Sequence, residues 1–246
     1  MYLYSLLEAS AKTTNVVKWC SVAATVILLV VIGFIGIAKK AGGARKYDTK
    51  RIAFAGVCVA TSFTLAIIKF KPVEYGGSIT LASFAPILIY AYVYGAADGF
   101  MVGLIHGLLN FIESPYILNA ATFIFDYLIA FASVGLMGFF GKLRRKEKAV
   151  LPVVLGCVCV FSMRFFAHFI AGMVFFLENS VWVSLPEWAM GNAVAYSFLY
   201  QCVYIPADAL IATIALVCAA KSGLLDKLTK LMVGKSIPMK KQNEEN

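Results

Sequence analysis

A chain of 246 residues that is 61% hydrophobic and only 14% charged lies outside the composition of soluble globular domains. Its formal net charge of +9 is not a nucleic-acid footprint, because the cations are gathered into short segments between long apolar runs. Its six cysteines (Cys20, Cys58, Cys157, Cys159, Cys202 and Cys218) all fall in those runs with no zinc-site spacing, so they read as small packing residues and imply no metal or disulfide framework.

Apolar runs near the roughly 20 residues needed to cross a bilayer fall at about 16–38, 52–69, 79–95, 97–112, 119–140, 149–176 and 189–219. They show no alternation of polar and apolar residues, which disfavours a transmembrane β-barrel and predicts an all-α integral membrane protein. The first run has no basic segment before it and a basic one after it, so it reads as a retained span and not as a cleaved leader. Lys39, Lys40, Arg45, Lys46, Lys50 and Arg51 follow it, and Lys142, Arg144, Arg145, Lys146 and Lys148 fill a second loop. The tail carries Lys221, Lys227, Lys230, Lys235, Lys240 and Lys241. These three segments alternate correctly with the spans, which places them in the cytoplasm, the amino terminus outside and the carboxyl terminus inside, with anionic lipid headgroups as neighbours. The expected organisation is an extra N-terminal helix and basic linker over 1–50, a core over 51–220 and a basic cytoplasmic tail over 221–246.

On the outer side the connections fall at about 70–78, 112–118 and 177–188. The first holds the Gly76-Gly77 pair, the second Tyr116, and the third Trp182 and Trp188, which suit an interfacial belt or the roof of a pocket. Leu224, Leu225, Leu228, Leu231 and Met232 alternate with the tail lysines as in an amphipathic helix lying on the inner surface. Small residues at Gly103 and Gly107, and at Gly56 and Ala60, permit close helix contact.

Ionisable groups at membrane depth are expensive and mark either ion pairs or a ligand site. Arg164 and His168 share a helix face, and Asp126 lies in the preceding, antiparallel span at a similar depth. Asn192, Tyr196 and Tyr200 follow at helical spacing on the last long run, with Gln201 beside them. Arg164 is expected to pair with Asp126 or Asp208. Asp208, two residues past Pro206, has a second reading as partner to backbone groups freed by that proline. His106 and Asn110, four apart, are expected to bond across helices and not to bind ligand.

Several stretches in order and spacing resemble the thiamine-specific substrate-binding (S) components of energy-coupling factor vitamin transporters. They are Gly76-Gly77-Ser78-Ile79-Thr80-Leu81, Pro115-Tyr116-Ile117-Leu118, Phe125-Asp126-Tyr127-Leu128-Ile129-Ala130, Arg164 through Gly172, and Ala193-Val194-Ala195-Tyr196-Ser197. The resemblance implies a six-helix S-component bundle and a pocket that takes thiamine or a close analogue from outside. It implies ligand contacts from Tyr116, Asp126, Tyr127, His168 and Tyr196. Phe176 stands where the family has a stacking tryptophan, Gln201 where it usually has an asparagine, and Asp126 where it usually has a glutamate; some members carry tryptophan at Gly77. It further implies partners, a transmembrane coupling protein and two ABC ATPases, since no phosphate-binding G-x-x-x-x-G-K-[ST] motif occurs in this chain. The coupling protein would dock on small residues of the first core helix, here Ala53, Gly56 and Ala60.

No serine or cysteine sits in a nucleophile setting, so a binding subunit is favoured over an enzyme using His168 and Asp126 as acid and base. A subunit for a related pyrimidine or thiazole precursor, and a solitary proton-coupled carrier, are the remaining readings.

Overall fold

The computed structural model describes residues 48–72, 77–115, 120–143, 150–178 and 192–233. The expected helix at 16–38, the loop containing Tyr116, Trp182 and Trp188, and the last tail residues lie outside them. Helix α1 (Thr49–Ile67) leads into a two-stranded antiparallel hairpin, β1 (Lys69–Pro72) and β2 (Ser78–Thr80), and then into α2 (Phe84–Tyr94) and α3 (Ala96–Glu113). An irregular helix α4 over 120–143 precedes α5 (Val150–Glu178), α6 (Ala193–Lys221) and the short α7 (Leu224–Val233).

Four described segments are long and apolar enough to cross a membrane: Thr49–Ile67, Ile124–Leu143, Val150–Val174 and Ala193–Lys221. The expected span at 79–95 is corrected by the structure. Its first residues form β2 and a turn, and α2 covers only eleven residues, about 16 Å of rise against a hydrocarbon core of about 30 Å. The reason is local. Thr80 and Ser83 bind each other at 2.7 Å, Thr80 also binds Asp208, and Ser62 of α1 donates to the Ser83 carbonyl, so these polar groups are satisfied inside the protein instead of continuing a helix. At the other end Gly95 takes φ 105°, a conformation that favours glycine, and breaks α2 from α3. Nine of the eleven α2 residues are buried, so this helix forms the centre of the core instead of an outer wall.

Around it, α1 turns Cys58, Val59, Ser62 and Ala66 inward and leaves Ala53, Gly56, Val57 and Ala60 on the outward face. Gly103 and Gly107 bring α3 against the α4 backbone, where a methyl group would collide with the carbonyls of Phe131 and Tyr127 respectively. Gly56 differs, since a methyl there would meet nothing within 4 Å. Helices α5 and α6 pack antiparallel, with Gly172 pressed against Ser197 and Ser197 Oγ donating to the Phe169 carbonyl at 2.6 Å. Cys58 and Cys157 pack inside as expected, whereas Cys159, Cys202 and Cys218 are exposed on outward helix faces. Helix α7 is amphipathic, as its leucine and lysine spacing predicts, and tucks Leu225 into the core beside α2.

At the end opposite the hairpin, Arg51 of α1 forms a buried ion pair with Asp98 of α3 and lies 5.3 Å over the Tyr94 ring. That pair lets two charges enter the protein where α1, α2 and α3 meet.

The glycine contacts generate a comparison. Gly107→Val is expected to lower the thermal midpoint of the purified protein by several degrees, corresponding to roughly 1–3 kcal/mol of overpacking. Gly56→Val should leave the midpoint unchanged, and thermal unfolding in detergent checks both.

Candidate functional site

A cavity of about 110 Å³ opens at the hairpin end of the bundle and is walled by β2 and by helices α3 to α6. Four features build it: the hairpin rim, a stripe of tyrosines on α6, a carboxylate–imidazole pair from α4 and α5, and a charged floor.

At the rim, Lys69 of β1 and Glu113 at the end of α3 form an ion pair at 3.0 Å, and both line the cavity. The Gly77 amide donates to Tyr200 Oη at 3.2 Å, tying the hairpin to α6. A side chain at Gly77 would press on Tyr200 and Tyr204 at 3.0 Å, so the absence of one keeps the hairpin close to the stripe.

The stripe follows from helical spacing. Tyr196, Tyr200 and Tyr204 are four apart, so they share a face of α6. Tyr196 and Tyr200 stack with centroids 6.3 Å apart and planes 11° apart, and Tyr204 meets Tyr200 edge-on at 5.7 Å. Asn192, expected beside them, instead caps α6 by accepting from the amides of Val194 and Ala195.

Asp126 sits in a π-helical turn, Ile124–Ile129, where the Ala130 amide reaches back five residues to the Phe125 carbonyl. Such turns widen a helix and commonly occur at functional sites. Here the turn puts both Asp126 and its neighbour Tyr127 on the cavity wall. Asp126 Oδ1 lies 2.7 Å from His168 Nδ1, while His168 Nε2 has no hydrogen-bond partner among the described residues. Tyr127 donates through its hydroxyl to the Ser114 carbonyl at 2.8 Å and packs edge-on against Phe111 at 5.2 Å.

Gln201 lines the cavity but is also committed to the scaffold. Its amide nitrogen donates to the His168 carbonyl at 3.1 Å and its oxygen accepts from Tyr204 at 2.6 Å. One N–H and one lone pair remain for other partners. Its part in holding the α5 backbone behind His168 is not visible in the sequence.

Deeper lies the floor. Arg164, four residues and about 6 Å further along α5 than His168, donates through Nη1 to Asp208 Oδ2 at 2.7 Å. Asp208 Oδ1 accepts from the Thr80 hydroxyl at 2.7 Å and from the Thr80 amide at 3.2 Å. Of the two expected partners for Arg164 the structure selects Asp208, and it assigns Asp208 to that pair and to Thr80, correcting the reading of it as a cap for backbone freed by Pro206. The expectation for His106 is also corrected. Its two ring nitrogens make no hydrogen bond to Asn110 or to any other described residue, and it lines the cavity. No group of three or more metal-ligating side chains occurs among the described residues.

Of the seven residues singled out from the sequence, Asp126, Tyr127, His168, Tyr196 and Gln201 all line this one cavity. Tyr116 and the Phe176 side chain lie outside the described residues. Sequence reasoning missed Lys69, Glu113, Thr80, Ser83, Phe84, Phe131 and Tyr204, which also line it. Only Tyr204 had a readable signal, as the next member of the Tyr196–Tyr200 repeat.

Breaking the floor pair from one side strands a buried charge. Asp208→Ala is expected to cost about 3–5 kcal/mol, whereas the double variant Arg164→Met, Asp208→Leu should recover most of it. Thermal unfolding of the single and double variants checks the difference.

Comparison with known proteins finds a match to the thiamine transporter protein family over residues 52–225. Among curated proteins, the thiamine transporter ThiT of Bacillus subtilis is 27% identical over 176 residues, which is 68% of this chain and 88% of that protein. Among solved structures, ThiT from Listeria monocytogenes superposes with a TM-score of 0.60 at 21% identity. That alignment covers 73% of this chain and 96% of the other, and it supports the fold.

Proposed function

The chain belongs to the thiamine transporter family, a family of transporters and not of enzymes, and it is a multi-pass membrane protein; we propose that it is the substrate-binding subunit of an energy-coupling factor importer that captures thiamine from outside the cell. The observation that carries this reading is the convergence of Asp126 and His168, 2.7 Å apart, with a stripe of tyrosines in one cavity within a chain of this family.

Thiamine pairs a permanently cationic thiazolium with an uncharged aminopyrimidine. Tyrosine faces attract the cation, and the Tyr196–Tyr200 stack offers them near the mouth of the cavity. Asp126 balances the ligand charge and accepts from the pyrimidine amine, with His168 holding the carboxylate in place. Tyr127 closes one wall and Gln201 another. Tyr116 and Phe176 complete the contact set on the strength of the family resemblance. None of these groups is asked to make or break a bond, so capture and release are the whole of the chain's chemistry.

In this reading the hairpin end of the bundle faces outward and the Arg51–Asp98 end faces the cytoplasm, in line with the basic segments. Residues 51–220 are the core, 1–50 add an amino-terminal span, and 221–246 form a basic tail on the inner leaflet. Energy comes from outside the chain, through a coupling protein and two ATPases. The outward face of α1, where Ala53, Gly56 and Ala60 leave the backbone accessible, is the docking surface for that coupling protein.

Calorimetric titration of thiamine into purified, ligand-stripped protein tests the reading. One-to-one binding is expected, weakened roughly tenfold to a hundredfold by Asp126→Asn, the range set by loss of a charge-assisted hydrogen bond. Folded protein that gives no heat with thiamine would sink this assignment. Binding of the isolated pyrimidine or thiazole moiety in preference to thiamine would redirect it to a precursor.

A further inference from the structure

The floor of the cavity holds a side chain that none of the roles above uses. His106 comes from α3, seven residues and about 10 Å in from Glu113. None of its surface is exposed, yet it lines the cavity. Its ring stands edge-on to Phe131 at 5.3 Å and to Phe84 at 6.0 Å. The Arg164 guanidinium lies over the same two rings, 4.2 Å from the Phe84 centroid and 5.5 Å from that of Phe131, while Asp208 holds it from behind.

Two properties of this floor restrict what it takes. At the floor Asp208 matches the charge of Arg164, while the Asp126 carboxylate lies above it beside the tyrosine stripe, so the positive end of a ligand is drawn toward Asp126 and not toward the floor. The uncharged end therefore lies deepest. A neutral imidazole also presents one donor and one acceptor, and neither His106 nitrogen has a partner among the described residues. A flat ring with both an acceptor nitrogen and a donor amine on its edge can bond one of these nitrogens in either tautomer, and the phenyl rings of Phe84 and Phe131 supply apolar faces beside it. Packing alone gives no reason for an imidazole, because a phenylalanine would fill the space without burying two polar atoms.

We propose that His106 is a specificity-determining ligand contact at the cavity floor, pairing with the hydrogen-bonding edge of an uncharged aminopyrimidine-type ring whose cationic partner ring lies toward the mouth. This deepens the thiamine-binding reading and rests on it.

The test compares two ligands on the full-length protein and its His106→Phe and His106→Gln variants. One ligand is thiamine; the other is the thiazolium analogue in which a benzyl group replaces the aminopyrimidinylmethyl group. His106→Phe is expected to weaken thiamine roughly tenfold or more and to leave affinity for the benzyl analogue unchanged. His106→Gln, whose amide carries a donor and an acceptor, should retain part of the lost affinity. The ligand-free His106→Phe protein should melt no lower than wild type, since it buries fewer unpaired polar atoms. Equal thiamine affinity in wild type and His106→Phe overturns the proposal. So does an equal loss for both ligands, or a His106→Phe protein that does not fold, each of which assigns the ring a packing role. Wild-type protein that binds no thiamine removes the reading beneath the proposal, an outcome distinct from wild-type binding that ignores His106.

Discussion

Everything near the cavity hangs on one ion pair placed deep in an apolar bundle. Arg164 on α5 and Asp208 on α6 meet at 2.7 Å with almost no exposure to the surroundings. A charge at that depth is tolerable only with its counter-charge and full hydrogen bonding. Asp208 therefore also engages the Thr80 hydroxyl and amide, and Thr80 engages Ser83. The consequence is mechanical. The pair fastens α5 to α6 and pulls the end of the hairpin down between the helices, so β2 becomes a wall of the cavity. The chain then has no length left to make a full span before α2, and α2 becomes a short buried helix whose first residue, Phe84, sits under Arg164.

Above that floor the site is graded by chemistry. A guanidinium neutralised by a carboxylate lies deepest, a carboxylate joined to an imidazole lies at mid-depth, and aromatic rings and the Lys69–Glu113 pair lie toward the rim. Such a gradient orients a ligand that is cationic at one end and neutral at the other, because the carboxylate and aromatic faces that attract a cation lie above a floor whose charges cancel. The π turn in α4 serves the same end. Asp126 and Tyr127, consecutive residues of that turn, both line the cavity.

Much of the site was legible because polar residues in an apolar chain stand out. Asp126, His168 and Arg164 announce themselves by being ionisable at membrane depth, and the tyrosine stripe by its spacing of four. Their order and spacing also carry the likeness to the thiamine-specific S components, and the family match over residues 52–225 agrees with it. Thr80, Ser83, Phe84 and Phe131 were not legible. Each is an ordinary residue of a membrane helix or loop and gains significance only from what folds against it. His106 was misread for a related reason. A histidine four residues from an asparagine suggests a polar contact between helices, but whether its nitrogens find partners depends on three other elements.

The sequence by itself determined that this chain lives in a membrane as a helical bundle, that its charges gather between the apolar runs, and which few polar groups are too costly to be incidental. Those properties follow from hydropathy, which each segment carries alone. Tertiary structure decided which carboxylate holds Arg164, that the run at 79–95 splits into a strand and a short core helix, and that His106 lines the cavity with neither nitrogen bonded to another described residue. These are pairwise choices among groups far apart in the chain, and only the packed bundle, by bringing one partner within reach and another out of it, makes them.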